Sequence, residues 1–521
     1  MIAITELRYN PKLPRPPSSR SQFHKTPKPR EKSTYLPLIN NAHPTPPSTP
    51  NIHPLHPPPE NTTTPRSHIL TLLTPSTPKL VILDDDPTGT QTCHDIAVLT
   101  TFETPSLQSE LLRPAPGFFI LTNTRAMSPA ATTTLLRNIL SNLRTAAEAA
   151  DVKFTIVLRG DSTLRGHFPL ECDVVDEVFG ASDAWIVAPF FLQGGRYTLE
   201  GVHYVAERDV MVPVGETAFA RDATFGFAAS EVREWVREKA PGRFEAEGMV
   251  VSLGVREIRE GGVERVVEVL RGVPRGGVVV ADSCAESDMD IVAAGVLHAE
   301  SQGSKLLFRT AAAFVSSRLG IIPQPPLSAH AAGLSTTPGS PGALIVAGSY
   351  VPKTTVQLSS LITSRGPHLK VLELSVNMLL SSPAAELLSR TAEAASVAIA
   401  AGQDVLIMTS RELIKGGDAD SSLEIGGVVA AALVDVVRRV TTRPRYIVAK
   451  GGITSSDMAT KALGMRRAMV LGQAAPGVPL WRCDEETCLY SGVPYVVFPG
   501  NVGGDDALAK LVEGWAVQAE V

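Results

Sequence analysis

From Lys79 onward, short β-branched runs alternate with longer amphipathic stretches, and polar residues fall just after the runs. Leu80-Val81-Ile82-Leu83 runs into Asp84-Asp85-Asp86-Pro87-Thr88-Gly89. Phe118-Phe119-Ile120-Leu121 ends at Thr122-Asn123-Thr124-Arg125, and Thr155-Ile156-Val157-Leu158 ends at Arg159-Gly160-Asp161-Ser162. Trp185 to Ala188 and Val278 to Ala281 read as further strands. Ser128-Pro129 opens a helix with a hydroxyl cap and a first-turn proline, and Leu135, Leu136, Ile139, Leu140 and Leu143 supply its apolar face. Another helix is expected from about Ser287. Strands alternating with helices predict an α/β fold with mostly parallel sheets, whose ligands bind beyond the strand ends.

Residues 321–342 interrupt the pattern with Pro323, Pro325, Pro326, Pro338 and Pro341 among small polar residues, which reads as a linker. A second α/β set follows. Leu344 to Ala347 ends at Gly348-Ser349, and Val405 to Met408 ends at Thr409-Ser410-Arg411. Tyr446 to Ala449 ends at Lys450-Gly451-Gly452-Ile453-Thr454-Ser455, with a helix expected over 457–463, and Tyr495 to Phe498 ends at Pro499-Gly500-Asn501-Val502-Gly503-Gly504. The expected domains are therefore 80–320 and 343–521.

Composition adds a third region. Residues 1–79 hold 18 of the 41 prolines and carry a net charge of +7, whereas the remainder carries −12. So proline-rich a segment is expected to be a disordered basic tail, removable through residue 75 without loss of activity. No run of about 18 apolar residues suggests a membrane span. Five cysteines without C-x-x-C spacing fit a reducing compartment, and the acidic body is a poor nucleic-acid binder. The start lacks a signal-peptide pattern. A cytoplasmic location is expected. Mitochondrial targeting by the tail is the lesser alternative, because Pro11, Pro14, Pro16 and Pro17 break the amphipathic helix such signals use.

Two kinds of chemistry stand out. Gly451-Gly452-Ile453-Thr454-Ser455-Ser456, between a strand and a helix, offers close backbone approach, free amides and hydroxyls to phosphate oxygens. The loop from Gly500 to Gly504 follows another strand and suits the same ligand; Walker and dinucleotide fingerprints are absent. In the first half, Asp84, Asp85 and Asp86 crowd three carboxylates at a strand end, which suits a general base or a metal-associated site. Arg159 to His167 sets two guanidinium groups around Asp161, a pattern suited to a substrate carboxylate or phosphate. His94, His167 and His203 read as structural or surface histidines, with a catalytic or ligating role as the alternative. A small anionic substrate facing a phosphate donor adds up to phosphoryl transfer.

At these residues the chain resembles the four-carbon acid sugar kinase family, which includes 3-oxo-tetronate, D-threonate and D-erythronate kinases. The resemblance is carried by Asp85-Asp86-Pro87-Thr88-Gly89, Asp161-Ser162-Thr163-Leu164-Arg165-Gly166, Gly451-Gly452-Ile453-Thr454-Ser455 and Gly500-Asn501-Val502-Gly503. Shorter similar stretches include Gly195-Arg196-Tyr197-Thr198 and Gly201-Val202-His203-Tyr204. It implies a sugar-acid domain, an ATP domain, an active site in the cleft between them, and Mg²⁺. Asp85, Asp86, Arg159, Asp161, Ser162 and Arg165 would face the sugar acid; Ser349, Gly451, Gly452, Ile453, Thr454 and Gly500 would hold ATP. Asp86 or Asp85 is the expected general base, with Asp161 next, and Arg159 and Arg165 would bind the substrate carboxylate. Asp84 and Pro87 stand where many members have Ala and Phe, and Arg159 where lysine is common, which marks a distinct branch.

The expectation is an ATP-dependent kinase acting on the terminal hydroxyl of a four-carbon sugar acid. The alternatives are a non-catalytic metabolite sensor of the same fold and a kinase of a larger sugar acid. Its partners would be the acid and ATP, with a homodimer left open and neither nucleic acid nor membrane involved.

Overall fold

A computed structural model describes residues 57–207, 210–348, 351–381, 384–411, 419–484 and 487–517. The first half contributes β1 (Lys79–Asp84), β2 (Ile96–Leu99), β3 (Gly117–Leu121), β4 (Phe154–Arg159), β5 (Ala184–Ala188), β6 (Arg196–Leu199), β7 (Val202–Glu207), β8 (Val210–Pro213), β9 (Val250–Leu253), β10 (Gly277–Ala281) and β11 (Leu306–Thr310). The second contributes β12 (Leu344–Ala347), β13 (Leu369–Leu374), β14 (Asp404–Thr409), β15 (Ile447–Lys450), β16 (Arg467–Ala475), β17 (Val478–Cys483) and β18 (Pro494–Phe498).

In the first half, β2-β3-β1-β4-β11-β5-β10-β9 are neighbours and pair in parallel. β1 shows why these strands read as unbroken apolar runs. Successive side chains alternate between faces, so Leu80 and Ile82 enter one core while Val81 and Leu83 enter the other. The helix Pro129–Ala150 covers the second face with Leu136, Ile139, Leu140 and Leu143, and Ser128 Oγ accepts from the Ala131 amide at 3.3 Å. In the second half, β13-β14-β12-β15-β18 are also parallel.

The two sets belong to one fifteen-stranded sheet. β16 and β17, which no apolar run announced, join them through antiparallel pairs of β2 with β16, β16 with β17, and β17 with β18. This pairing covers the open edge of β2, which would otherwise present unpaired amides and carbonyls. Arg467 of β16 adds an ion pair to Glu110 of the first half at 2.8 Å, with both side chains buried. The remaining strands, β6 to β8, form a separate three-stranded antiparallel sheet inserted after β5.

Two expectations are corrected. Within the expected tail, residues 1–56 lie outside the described residues, but ordered structure begins well before residue 80. Arg66–Leu72 is a helix. Arg66 donates from Nε to Asp290 at 2.7 Å and from Nη2 to Glu286 at 2.5 Å and Ser317 at 2.8 Å, and Ile69 is fully buried against Ala293, Ala294 and Leu297. Arg66 and Ile69, with Leu72 and Leu73 packed beside them, hold this helix to the body, too few residues to show in a composition dominated by proline. The second correction concerns the helix expected over 457–463. It starts directly after Gly451, as Gly452–Asp457, and runs on through Met458–Ala462. The linker carries no helix or strand, yet it is pinned: Gln324 donates to the Leu471 carbonyl at 3.0 Å, and the Leu327 amide to that of Gln473 at 2.8 Å.

Candidate active site

The acidic loop is built by strand register. Asp84 ends β1 directly beside Arg159 of β4, and Arg159 Nη1 donates to Asp84 Oδ1 at 3.0 Å. Both side chains are buried, and the Arg159 guanidinium, expected to face the sugar acid, is ion-paired to the acidic loop through Nη1. Burial pushes the Asp84 carboxyl up to about 7, against the pull of Arg159.

Arg125, which sequence reasoning passed over, organises the next layer. It grips Asp85 with Nε at 3.1 Å and Nη2 at 2.5 Å, and its Nη1 lies 3.6 Å from Asp86 Oδ2 and 3.8 Å from Asp161 Oδ1. Its position at the end of β3, in Thr122-Asn123-Thr124-Arg125, was the available signal. Asp86 Oδ1 accepts from the Thr88 amide at 2.9 Å and hydroxyl at 2.6 Å. Burial would raise its pKa, but the Arg125 charge and the Thr88 bonds outweigh burial and hold the carboxyl below its usual range. Asp161 is also lowered, because Arg165 and Arg125 outweigh its burial. Arg165 Nε reaches Asp161 at 2.7 Å. Arg309, also unforeseen, lies against Gly160 and donates to the Arg165 carbonyl at 2.9 Å.

The three histidines are hydrogen-bonded within the fold. His203 Nε2 lies 2.8 Å from the Ser162 carbonyl and its Nδ1 2.9 Å from Thr198 Oγ1, so it ties the inserted sheet to the loop of Asp161 and Ser162. Burial lowers its pKa to about 4, so it bonds as a neutral ring. His167 caps the carbonyls of Thr124 and Met127. His94 bonds Asp95 and the Ile322 carbonyl.

The glycine-rich turn is made differently. Gly451, at φ +112°, takes a conformation that side chains disfavour and opens the helix Gly452–Asp457. Its first amides, those of Gly452, Ile453 and Thr454, precede the intrahelical bonding, which begins with the Ser455 amide donating to the Gly451 carbonyl at 2.8 Å. Ile453 is exposed. Thr454 Oγ1 lies against Gly348; Ser349 lies outside the described residues. The Gly500–Gly504 loop is held from the helix Pro352–Arg365, where Gln357 donates to the carbonyls of Val502 at 3.1 Å and Gly504 at 2.8 Å, and Thr354 to that of Gly500 at 3.3 Å. Lys450 is fully buried beneath both loops, donates to the Pro499 carbonyl at 2.5 Å and sits 4.5 Å from the centre of the Phe498 ring. Burial, and then Lys353, lowers its pKa to about 7.

The two loops touch. A methyl group at Gly452 would run into Asp86 Oδ2. Behind that contact, Trp481 of β17 donates to Thr90 at 2.8 Å and Gln91 donates to the Gly477 carbonyl at 3.1 Å. Asp86 is thus the carboxylate that faces the second half, while Asp84, Asp85 and Asp161 are bonded to arginines. Among the described residues no group of three or more His, Cys, Asp or Glu is arranged to hold a metal. Asp86, a single carboxylate beside the glycine-rich turn, would suit a Mg²⁺ ion carried mainly by nucleotide phosphates. Among the described residues no helix is long and apolar enough to cross a membrane.

Comparison with known proteins agrees with this division. Residues 80–318 match the model of a sugar-binding N-terminal domain, and residues 344–508 that of a nucleotide-binding C-terminal domain. A D-threonate kinase of Bordetella bronchiseptica is 32% identical over 117 residues, which span 22% of this chain and 27% of that enzyme. A solved Haemophilus influenzae structure is similar with a TM-score of 0.55 at 14% identity, covering 83% of this chain and 99% of its own. A Salmonella typhimurium LT2 structure gives 0.58 at 15% identity, covering 82% and 98%. At such identities these two structures speak for the fold alone. The pair of domain models, matched in order over most of the chain, places it in the four-carbon acid sugar kinase family.

Proposed function

We propose that this chain is an ATP-dependent kinase that phosphorylates the terminal hydroxyl of a four-carbon sugar acid. The observation that carries the reading is the contact between Asp86, in the sugar-binding half, and Gly452, in the nucleotide-binding half. It brings a carboxylate beside the turn suited to phosphate.

Asp86 acts as the general base. Its lowered pKa keeps it ionised at neutral pH, and Thr88 and Arg125 fix its orientation. Asp85 and Asp161 orient Arg125 and Arg165 rather than taking the proton. The amides of Gly452, Ile453 and Thr454, with Gly451, Gly500 and Ser349, hold the nucleotide phosphates, and Lys450 fixes the two glycine-rich loops to each other from below. Mg²⁺, when bound with the nucleotide beside Asp86, supplies charge neutralisation on the transferring phosphoryl group.

The test is ADP release from purified protein against a panel of four- and five-carbon sugar acids. Turnover with a four-carbon acid is expected. Turnover only with five-carbon acids would move the substrate to the larger class, and nucleotide binding without any turnover would favour a sensor.

A further inference from the structure

Three guanidinium groups expected or found near the substrate already have electrostatic partners. Arg159 is paired with Asp84, Arg125 with Asp85, and Arg165 with Asp161 at 2.7 Å and Asp222 at 3.5 Å. Arg196 differs. It opens β6, the first strand of the inserted sheet; the charges of Asp161 and Glu207 reach it from farther off, but among the described residues no carboxylate lies within ion-pair distance of it. Its Nε is buried without a hydrogen-bond partner. A partly desolvated guanidinium left unpaired is costly to the folded state unless something compensates it.

Its surroundings point to that compensation. The Arg196 guanidinium carbon lies 5.7 Å from the centre of the Phe219 ring, and that of Arg165 lies 5.0 Å from the same ring. Two cations therefore share one aromatic wall, next to the loop that carries Asp161. His203 bonds that loop to the inserted sheet, so Arg196 is held in register with it. The planar fork of arginine matches the two oxygens of a carboxylate.

We infer that Arg196, with Arg165 beside it on the Phe219 ring, is the receptor for the substrate carboxylate, and that the inserted sheet β6 to β8 makes the site select acids over neutral polyols. This rests on the sugar-acid reading above and changes the residue assigned to the acid group, from Arg159 to Arg196. Arg159 serves instead to hold the acidic loop.

Calorimetric titration of four-carbon acids and the matching alditols into wild type, Arg196→Met and Arg196→Lys tests it, with urea midpoints of the ligand-free proteins in parallel. Arg196→Met should lose acid affinity about 50-fold, the value of a charge-assisted pair, with alditol affinity within about twofold. Its ligand-free midpoint should equal or exceed that of wild type, because a partly desolvated charge without an ion pair has been removed. Arg196→Lys, which keeps the charge without the fork, should fall between. Acid affinity within about threefold of wild type in Arg196→Met overturns the inference. So does an equal loss for acids and alditols, or an Arg196→Met protein that fails to fold. Wild type that binds acids without turning them over supports this assignment while sinking the kinase reading. Wild type that binds no acid overturns both.

Discussion

The acidic loop and the glycine-rich turn meet at one contact but are built on opposite principles. The acidic loop is dense with side chains: Asp84, Asp85, Asp86 and Asp161 are interlocked with Arg125, Arg159 and Arg165. Its charges are largely compensated from within, so their positions are fixed before any ligand arrives. The glycine-rich turn presents mainly backbone, and the buried Lys450 amine donates to the Pro499 carbonyl. The difference matches what each must do. A hydroxyl has to be oriented and deprotonated at one atom, which needs a rigid base. A polyphosphate needs many donors at close range, which amides supply and bulky side chains obstruct.

The comparison is broken most severely at the base. Asp86→Asn should lower kcat about 10³-fold while nucleotide affinity, read by equilibrium dialysis, stays within about threefold. If turnover survives, the base lies elsewhere in the loop. Gly452→Ala comes next. The added methyl collides with a carboxylate that Thr88 and Arg125 hold in place, and kcat/KM should fall about 100-fold with a loss of stability of about 1–3 kcal/mol. A variant as active as wild type would show that the contact is not maintained.

Arg66→Ala sharpens the contrast by leaving both loops alone. It strands the buried Asp290 and the partly buried Glu286, and should cost about 3 kcal/mol of stability in urea unfolding. Activity at 25 °C should be unchanged, which separates the docked helix from the chemistry. Removal of residues 1–75 takes Arg66 and the buried Ile69 with it and should cost at least as much stability.

At Lys450 the effect is read as a dependence of stability on pH rather than in turnover. Its folded-state pKa of about 7 lies below the ordinary 10.5, so between these values the unfolded chain binds a proton that the folded chain does not. Its contribution to stability therefore rises as pH climbs from 7 towards 10, and the penalty is complete below 7. Lys450→Met should raise the urea midpoint more at pH 7 than at pH 10. An equal increment at both would show that the amine is not perturbed.

Much of this was legible in the chain. β1, β3 and β4 announce themselves because strands buried on both faces are continuous apolar runs, and their polar ends carry the chemistry. β16 and β17 stayed hidden: β16 alternates buried with half-exposed residues over nine positions, and the pair joins two halves that separate sheets would also have satisfied. The residue types of the acidic loop could be read, but not which guanidinium is already neutralised. That depends on register, as when β4 sets Arg159 beside Asp84, and on partners far along the chain, as for Arg125. Arg196 was visible in Gly195-Arg196-Tyr197-Thr198, yet nothing in the sequence marked it as a cation without an ion-paired carboxylate.

The central claim is that the two loops act as one site across which a phosphoryl group passes. Wild type can be incubated with ATP labelled in its γ-phosphoryl group and the acid that best stimulates ADP release, and the products followed by phosphorus NMR. The account predicts one labelled phosphate on the terminal hydroxyl of the acid for each ADP formed. Label found only as free phosphate, with the acid unchanged, would contradict it.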